Sequence, residues 1–398
     1  MGTRIGMILD QRFPPDIRVE NEAASLANAG YEIYLWCYTY SDEPLYEKYH
    51  GFHIIRNKIS RFWMKKMRAM VSRFPIYTYY LYFKISRFIQ KYEIEILHVH
   101  DLYLLGAGLK LKKKYGLKIV SDLHENYVEG LKQYTFANTF PGNVIISIKK
   151  WYMLEKRWLQ QVDRIIVVVE EAINRVSQIG INRSKIYAVQ NYLNYKIFES
   201  YGIKKGVIDK YIKEEFILSY IGDFDFHRGL HILIEGFAKF INHKSSPIKL
   251  LLIGNGRIFK DLKEMVRKLQ IGEFVEFTGY EHYTKLGSYI AASDVCAIPH
   301  LKSVHTDNTL PHKLCQYMYM KKPVIVSDCD PLRRIVEECK CGLVYTNSNP
   351  DDLAEKLEWF YSNRNLLEKL GNSGNRCVVN KYNWQTAEKT LLELYEKI

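Results

Sequence analysis

The chain has 398 residues, 47% of them hydrophobic, with 57 Lys and Arg against 44 Asp and Glu and a formal net charge of +13. That length allows roughly two to three domains, each with its own core, and the composition is that of a globular chain. Seven cysteines are spread from Cys37 to Cys377 without a CxxC pair, which fits reduced thiols in the cytosol and disfavours a disulfide framework.

Met1 to Asp10 meets charge too soon for a signal peptide, and no uninterrupted apolar run approaches the ~20 residues of a membrane span. A cytoplasmic chain is therefore expected. A basic surface attracts nucleic acid, anionic lipid or phosphorylated substrates. No nucleic-acid-binding motif accompanies it, so nucleic acid is not an expected partner. Between Glu47 and Glu93 there is no acidic residue, while Arg61, Lys65, Lys66, Arg68, Arg73, Lys84, Arg87 and Lys91 alternate with aromatic and Met residues. Such interleaving on a helix suits the interface of an anionic membrane, or a solvated face whose aromatics pack on their own domain.

In chain order, Ile5–Leu9 reads as a strand, followed by the loop Gln11 to Arg18 and a helix from Val19 to Gly30. Ile33–Cys37 is a second strand. After the basic aromatic segment come strand Ile94–Val99, helix Leu102–Tyr115, strand Lys118–Ser121, helix Lys149–Gln160, strand Arg164–Val169, a helix to Ile179 and strand Ile186–Val189. The pattern weakens over 191–215 and resumes with strand Phe216–Ile221, helix 229–241, strand Lys249–Ile253, helix Arg257–Leu269, strand Val275–Phe277, helix Tyr283–Ala292 and strand 295–298. Strand 323–326, helices Leu332–Glu338 and Asp351–Ser362 and an amphipathic helix from Trp384 complete it. This alternation predicts two doubly wound, Rossmann-like α/β domains, 1–200 and 213–380, with 381–398 returning to the first.

Chemistry in such sheets sits at the carboxyl ends of strands. At the end of strand 295–298, Pro299 leads into a polar loop, and Pro311 is expected to open a helix whose free N–H groups and Lys313 face an anion. Gly222-Asp223-Phe224-Asp225-Phe226-His227-Arg228-Gly229 follows another strand, and an arginine at a helix mouth can grip phosphate. Gly254-Asn255-Gly256 lacks the third glycine of a dinucleotide fingerprint. His98 and His100 share one face of a strand, but spacing places no third metal ligand beside them. His124 follows another strand in S-D-L-H-E-N-Y. Nucleophile elbow, HExxH, Walker loop and paired-cysteine zinc motifs are all missing.

These motifs together resemble the retaining glycosyltransferases of family 4, whose GT-B fold is two facing Rossmann-like domains with a cleft between them. The resemblance rests on P-P-D-I-R-V-E-N-E-A from Pro14, H-V-H-D from His98 and S-D-L-H-E from Ser121. In the second half it rests on I-G-D-F-x-x-H-R-G-L, L-L-I-G-N-G, F-T-G-Y and P-H-K-L-C-Q-Y-M-Y-M-K-K-P-V-I-V-S. It implies metal-independent transfer of a sugar, with no cofactor, from a nucleotide-sugar donor to a glycan or lipid-linked acceptor, in peripheral contact with membrane.

By position, Arg228 resembles the residue that neutralises the departing diphosphate, and His124 the histidine near the reacting sugar. Gly222, Asp223, Asn308, Thr309, Leu310, Lys313 and Gln316 fall on the donor side, with 308–310 as a backbone anion cradle. Asp16, Arg18 and Glu125 are assigned to the acceptor side. The family's two usual glutamates fall at Asn308 and Gln316, and Asp223 stands where many members have a basic residue. Two further readings share the fold: a non-catalytic binding subunit and a nucleotide-sugar epimerase.

Overall fold

The structure is a computed structural model, describing residues 2–133, 135–242 and 247–398. It divides into two compact units, one running to Asn191 and including Ala387–Ile398, the other Tyr192–Thr386.

The first unit holds β1 (Arg4–Arg12), β2 (Glu32–Thr39), β3 (Tyr46–Tyr49), β4 (Phe52–Lys58), β5 (Ile96–His100), β6 (Lys118–Leu123), β7 (Arg164–Val167) and β8 (Ile186–Ala188). Their order across one sheet is β3-β4-β2-β1-β5-β6-β7-β8. All pairs are parallel except the β3–β4 hairpin. Parallel strands covered by helices on both faces must be apolar throughout, and Ile5, Met7, Ile8 and Leu9 of β1 are all buried. The hairpin lies in a stretch the apolar pattern left unassigned. Its turn, His50-Gly51, has positive φ at both residues (43° and 90°), as a tight two-residue hairpin turn requires. The basic aromatic segment forms two helices, Arg61–Ala69 and Ile76–Tyr92, separated before Pro75, whose ring cannot continue a helix.

The second unit holds β9 (Phe216–Ile221), β10 (Ile248–Ile253), β11 (Val275–Gly279), β12 (Val295–Ile298), β13 (Val324–Ser327) and β14 (Gly342–Tyr345), ordered β11-β10-β9-β12-β13-β14 and parallel throughout. Phe216, Leu218, Tyr220, Leu233, Phe237, Leu250 and Leu252 centre its core. Strand β14 and the helix Leu367–Asn380 were not anticipated. Four residues are too few to show a period, and the helix carries Gly371 and Gly374, which pack against Lys321 and Cys341 where a side chain would clash. In each sheet the order reverses beside the first strand, between β1 and β5 and between β9 and β12, and such reversals are where α/β sheets bind ligands.

The expectation of uniformly reduced thiols is corrected at one pair. Cys339 and Cys377, 38 residues apart, are disulfide-bonded, while Cys37, Cys296, Cys315, Cys329 and Cys341 are free and buried. Helix packing brings the pair together, which spacing along the chain does not show. No helix among the described residues is long and apolar enough to cross a membrane.

Candidate functional site

In the second unit, the loops after β9 and β12 are fastened to one another at the sheet's reversal. The Ile221 N–H donates to the Tyr317 hydroxyl at 3.0 Å, tying β9 to the Lys313–Tyr319 helix. Gly222 has φ 138°, and a Cβ there would lie 2.6 Å from Lys313 Nζ. The positive φ favours glycine there, and the Lys313 side-chain nitrogen lies against that backbone, 3.9 Å from the centroid of the Tyr220 ring. Gly229, at φ 68°, would put a Cβ 1.8 Å from the Pro299 carbonyl oxygen. The neighbouring Leu301 N–H donates to the His227 carbonyl at 2.9 Å.

Arg228 is thereby held beside His300, with Nη1 3.2 Å from Nε2. Burial pushes His300 well below the ordinary histidine range, and Arg228 and Lys313 push it further. It is therefore neutral and accepts from the guanidinium. Burial, helped by Arg228, also holds Lys313 well below the ordinary lysine value. Among the described residues no carboxylate pairs with Arg228 or Lys313, and Arg228 Nε is buried without a hydrogen-bond partner. Arg257, by contrast, is engaged by Asp225 at 2.7–3.2 Å. Burial and Arg228 thus disfavour the charge on Lys313, and an anion bound between the two would favour it.

The first unit gathers a different cluster. Arg18 grips Asp122 with both ends of its fork, at 2.7 and 3.1 Å, and donates to the Val189 carbonyl at 2.9 Å. It also lies 2.9 Å from Glu22. Asp122 Oδ2 further receives His100 Nδ1 at 3.0 Å and His124 Nε2 at 2.9 Å. His98 Nδ1 meets the Tyr395 hydroxyl at 2.7 Å. Burial opposes charge on His124, but Asp122 and Asp101 together outweigh it and raise its pKa to about 10. His124 is a cation at neutral pH. Burial acts against the charge of Asp122 too, yet Arg18 and His124 overcome it and hold the carboxyl well below its usual range. Glu22, dominated by burial, is raised to about 8. His98 and His100 are pushed down by burial and stay neutral.

Sequence spacing found no third ligand for His98 and His100, but folding supplies Glu22 and Asp122, all four ligand atoms lying within 4.8 Å of one another. Arg18 already spans both oxygens of Asp122, so a resident guanidinium carries the positive charge there.

Several assigned residues take other roles. Asp16 caps the Ile17–Asn28 helix, accepting from the Val19 N–H at 3.2 Å. Arg18 is 5% exposed and its donors face inward, onto Asp122 and the Val189 carbonyl. Glu125 is half-buried and lines a cavity described below. Regular helix begins at Lys313, two residues after Pro311, and is only one to two turns long. The 308–310 cradle is also reduced. The N–H groups of Asn308 and Thr309 close a turn onto His305 and Thr306, and the Asn308 amide donates to the Val304 carbonyl at 2.7 Å; Leu310 takes part in neither turn bond. Gln316 is half-buried on the Lys313–Tyr319 helix, and Asp223 is exposed, its carbonyl accepting from the Tyr220 hydroxyl. His300 was missed, although Pro299-His300 directly after an apolar strand is the signal for it.

A family model described as Glycosyltransferase Family 4 matches residues 17–195, and one described as Glycosyl transferases group 1 matches 207–376. Among curated relatives, the alpha-monoglucosyldiacylglycerol synthase of Streptococcus pneumoniae is 22% identical over 86% of this chain and 75% of its own length. Sucrose-phosphate synthase from Thermosynechococcus elongatus superposes with a TM-score of 0.79 at 18% identity, covering 99% of this chain and 98% of its own. The HepE protein of Anabaena in complex with UDP superposes at 0.73 with 13% identity, covering 100% of both chains. With two family models spanning both units and the same fold in its structural neighbours, the chain belongs to the family 4 glycosyltransferases of GT-B fold.

Proposed function

We propose that the protein is a retaining, metal-independent hexosyltransferase that moves a sugar from a nucleotide-sugar donor to a glycan or lipid-linked acceptor in surface glycoconjugate synthesis. One observation carries the donor assignment: Arg228 and Lys313 stand together at the β9/β12 reversal, with no carboxylate in ion-pair contact among the described residues and Arg228 Nε buried without a hydrogen-bond partner. As a glycosidic bond breaks, negative charge grows on the leaving diphosphate. Fixed cations aimed there stabilise the transition state more than the ground state and do the work a divalent metal does elsewhere. The UDP held by the Anabaena neighbour supports a uridine nucleotide as the first donor to try.

The acceptor side is proposed in the first unit, around His124. As an imidazolium it donates a hydrogen bond and does not serve as a base. Peripheral contact with an anionic membrane at the cytoplasmic face is supported by Phe62, Trp63 and Phe83, which are 59%, 61% and 64% exposed among the lysines and arginines of their two helices.

Product analysis tests this reading. Incubation with UDP- and GDP-sugars and a lipid-linked acceptor should release nucleoside diphosphate and yield a glycosylated acceptor. Accumulation of an epimerised sugar nucleotide instead would refute it. One observation favours the non-catalytic alternative: Asn308, at a family glutamate position, spends its side chain on the Val304 carbonyl. Nucleotide binding without turnover over the whole panel would establish that alternative.

A further inference from the structure

The first unit contains a cavity of about 590 Å³ that the donor site does not use. The Arg61–Ala69 helix, the Tyr127–Gln133 helix, two short turns of helix after it and the Ile148–Leu159 helix build it. Its size lies within the ~300–1,000 Å³ range of small-molecule sites. Leu131, Ala137, Ile146 and Trp151 line it and are all at most 9% exposed. These four side chains offer a sugar ring no hydroxyl partner, and the polar groups of the lining come from Lys65, Arg68, Glu125 and Tyr127.

Cationic groups lie at the same cavity. Lys65 lines it, is exposed, and has no ion pair or hydrogen bond among the described residues. Arg68 also lines it, with Nη1 3.1 Å from the Tyr103 hydroxyl and 3.6 Å from Asp10. Glu125, the residue after His124, lines it too, so the cavity reaches to within one residue of the imidazolium along the chain.

We infer that this cavity holds the hydrocarbon chain of the acceptor, and that the acceptor is a sugar carried on a long-chain alkyl or isoprenyl phosphate. A hydroxyl of that sugar forms the new glycosidic bond and gives up its proton as the donor's bond to its diphosphate breaks and the nucleoside diphosphate leaves. Lys65 meets the lipid phosphate. The inference rests on the transferase reading and names its acceptor class. A chain threaded among Leu131, Ala137, Ile146 and Trp151 leaves the head group on the Glu125 side, where the next residue is His124. The same Arg61–Ala69 helix that lines the cavity carries the exposed aromatics Phe62 and Trp63.

Alkyl phosphates of 6, 8, 10 and 12 carbons, kept below their micelle concentrations, test the inference by calorimetry on the full chain. Matched alcohols and inorganic phosphate are the other arms. Affinity should rise about fourfold per methylene, the phosphates should bind at least tenfold tighter than the alcohols, and inorganic phosphate should not compete. Ala137→Trp and, independently, Ile146→Trp should flatten the chain-length dependence while leaving UDP binding unchanged, which shows the fold intact. Lys65→Glu should remove the advantage of phosphate over alcohol and leave the length dependence. Length dependence that survives in both filled-cavity variants, or is missing from the native chain, overturns the inference. Full sugar transfer by those variants to a lipid-linked acceptor also overturns it, without touching the transferase reading. Length-dependent alkyl phosphate binding in a protein that transfers no sugar supports the cavity and contradicts the transferase reading.

Discussion

The charged clusters of the two units are built on opposite principles. Around Asp122 the cations meet a counter-charge within hydrogen-bonding reach: Arg18 and His124 face one carboxylate, and Glu22, kept protonated at neutral pH by burial, sits 2.9 Å from the same guanidinium. Around Arg228 the neighbours are Lys313 and a neutral His300, and the exposed Asp223, whose charge favours that of Lys313, makes no ion pair with either cation among the described residues. The first cluster carries its own counter-charge at Asp122, which fixes the orientation of His124. The second is completed only by an anion from outside. Ligand should therefore change the second much more than the first, and mutation should damage fold in the first and binding in the second.

The largest effect is expected at Asp122. Asp122→Asn leaves the Arg18 guanidinium buried without its carboxylate, a loss of about 3–5 kcal/mol of stability, read as a lower urea midpoint. A variant as stable as the native chain would break the claim that this cluster holds itself together.

Next is Arg228→Ala, which should lower turnover by about 10²- to 10³-fold with little change in melting temperature. Equal losses of stability and turnover would erase the contrast between the units.

A smaller, pH-dependent effect belongs to Glu22. Its folded pKa is raised from 4.5 to about 8, so the folded chain keeps a proton that the unfolded chain sheds. Its contribution is fully present below pH 4.5 and is lost as pH rises through about 8. Glu22→Gln should flatten the fall in stability between these limits, leaving the later decline as His124 passes from 6.5 towards about 10. Urea midpoints at several pH values check this, and an unchanged slope contradicts it.

The smallest effect is at Asp223, an exposed carboxylate on the donor side. Asp223→Asn should tighten nucleoside diphosphate binding a few-fold, on the scale of a surface charge interaction, about 0.2–1 kcal/mol. Weaker binding in this variant would mean that Asp223 contacts the ligand favourably.

Much of the fold was legible because long apolar strands alternating with helices leave a strong period, as in Phe216–Ile221 and Ile248–Ile253. Strand β14 and the short helices between residues 127 and 145 escaped because four to seven residues do not establish one. Arg228 and Lys313 were legible because each lies in the segment that follows a strand and close to a helix-breaking residue, Gly229 in one case and Pro311 in the other. The Asp122 cluster was not, since Arg18, Glu22, His100 and Asp122 come from three elements and only tertiary packing brings them together. Arg18 illustrates the difficulty: its place in the P-P-D-I-R motif pointed to a site, but folding turned it inward onto Asp122.

The most direct test of the central claim is a calorimetric titration of UDP, GDP and ADP into the native chain and into Lys313→Met. A buried anion site assembled from Lys313 and Arg228 predicts that at least one nucleoside diphosphate binds the native chain and that its affinity falls at least tenfold in the variant, while the unfolding midpoint stays within a few degrees. Equal binding by the two proteins, or no binding of any of the three to the native chain, would contradict it.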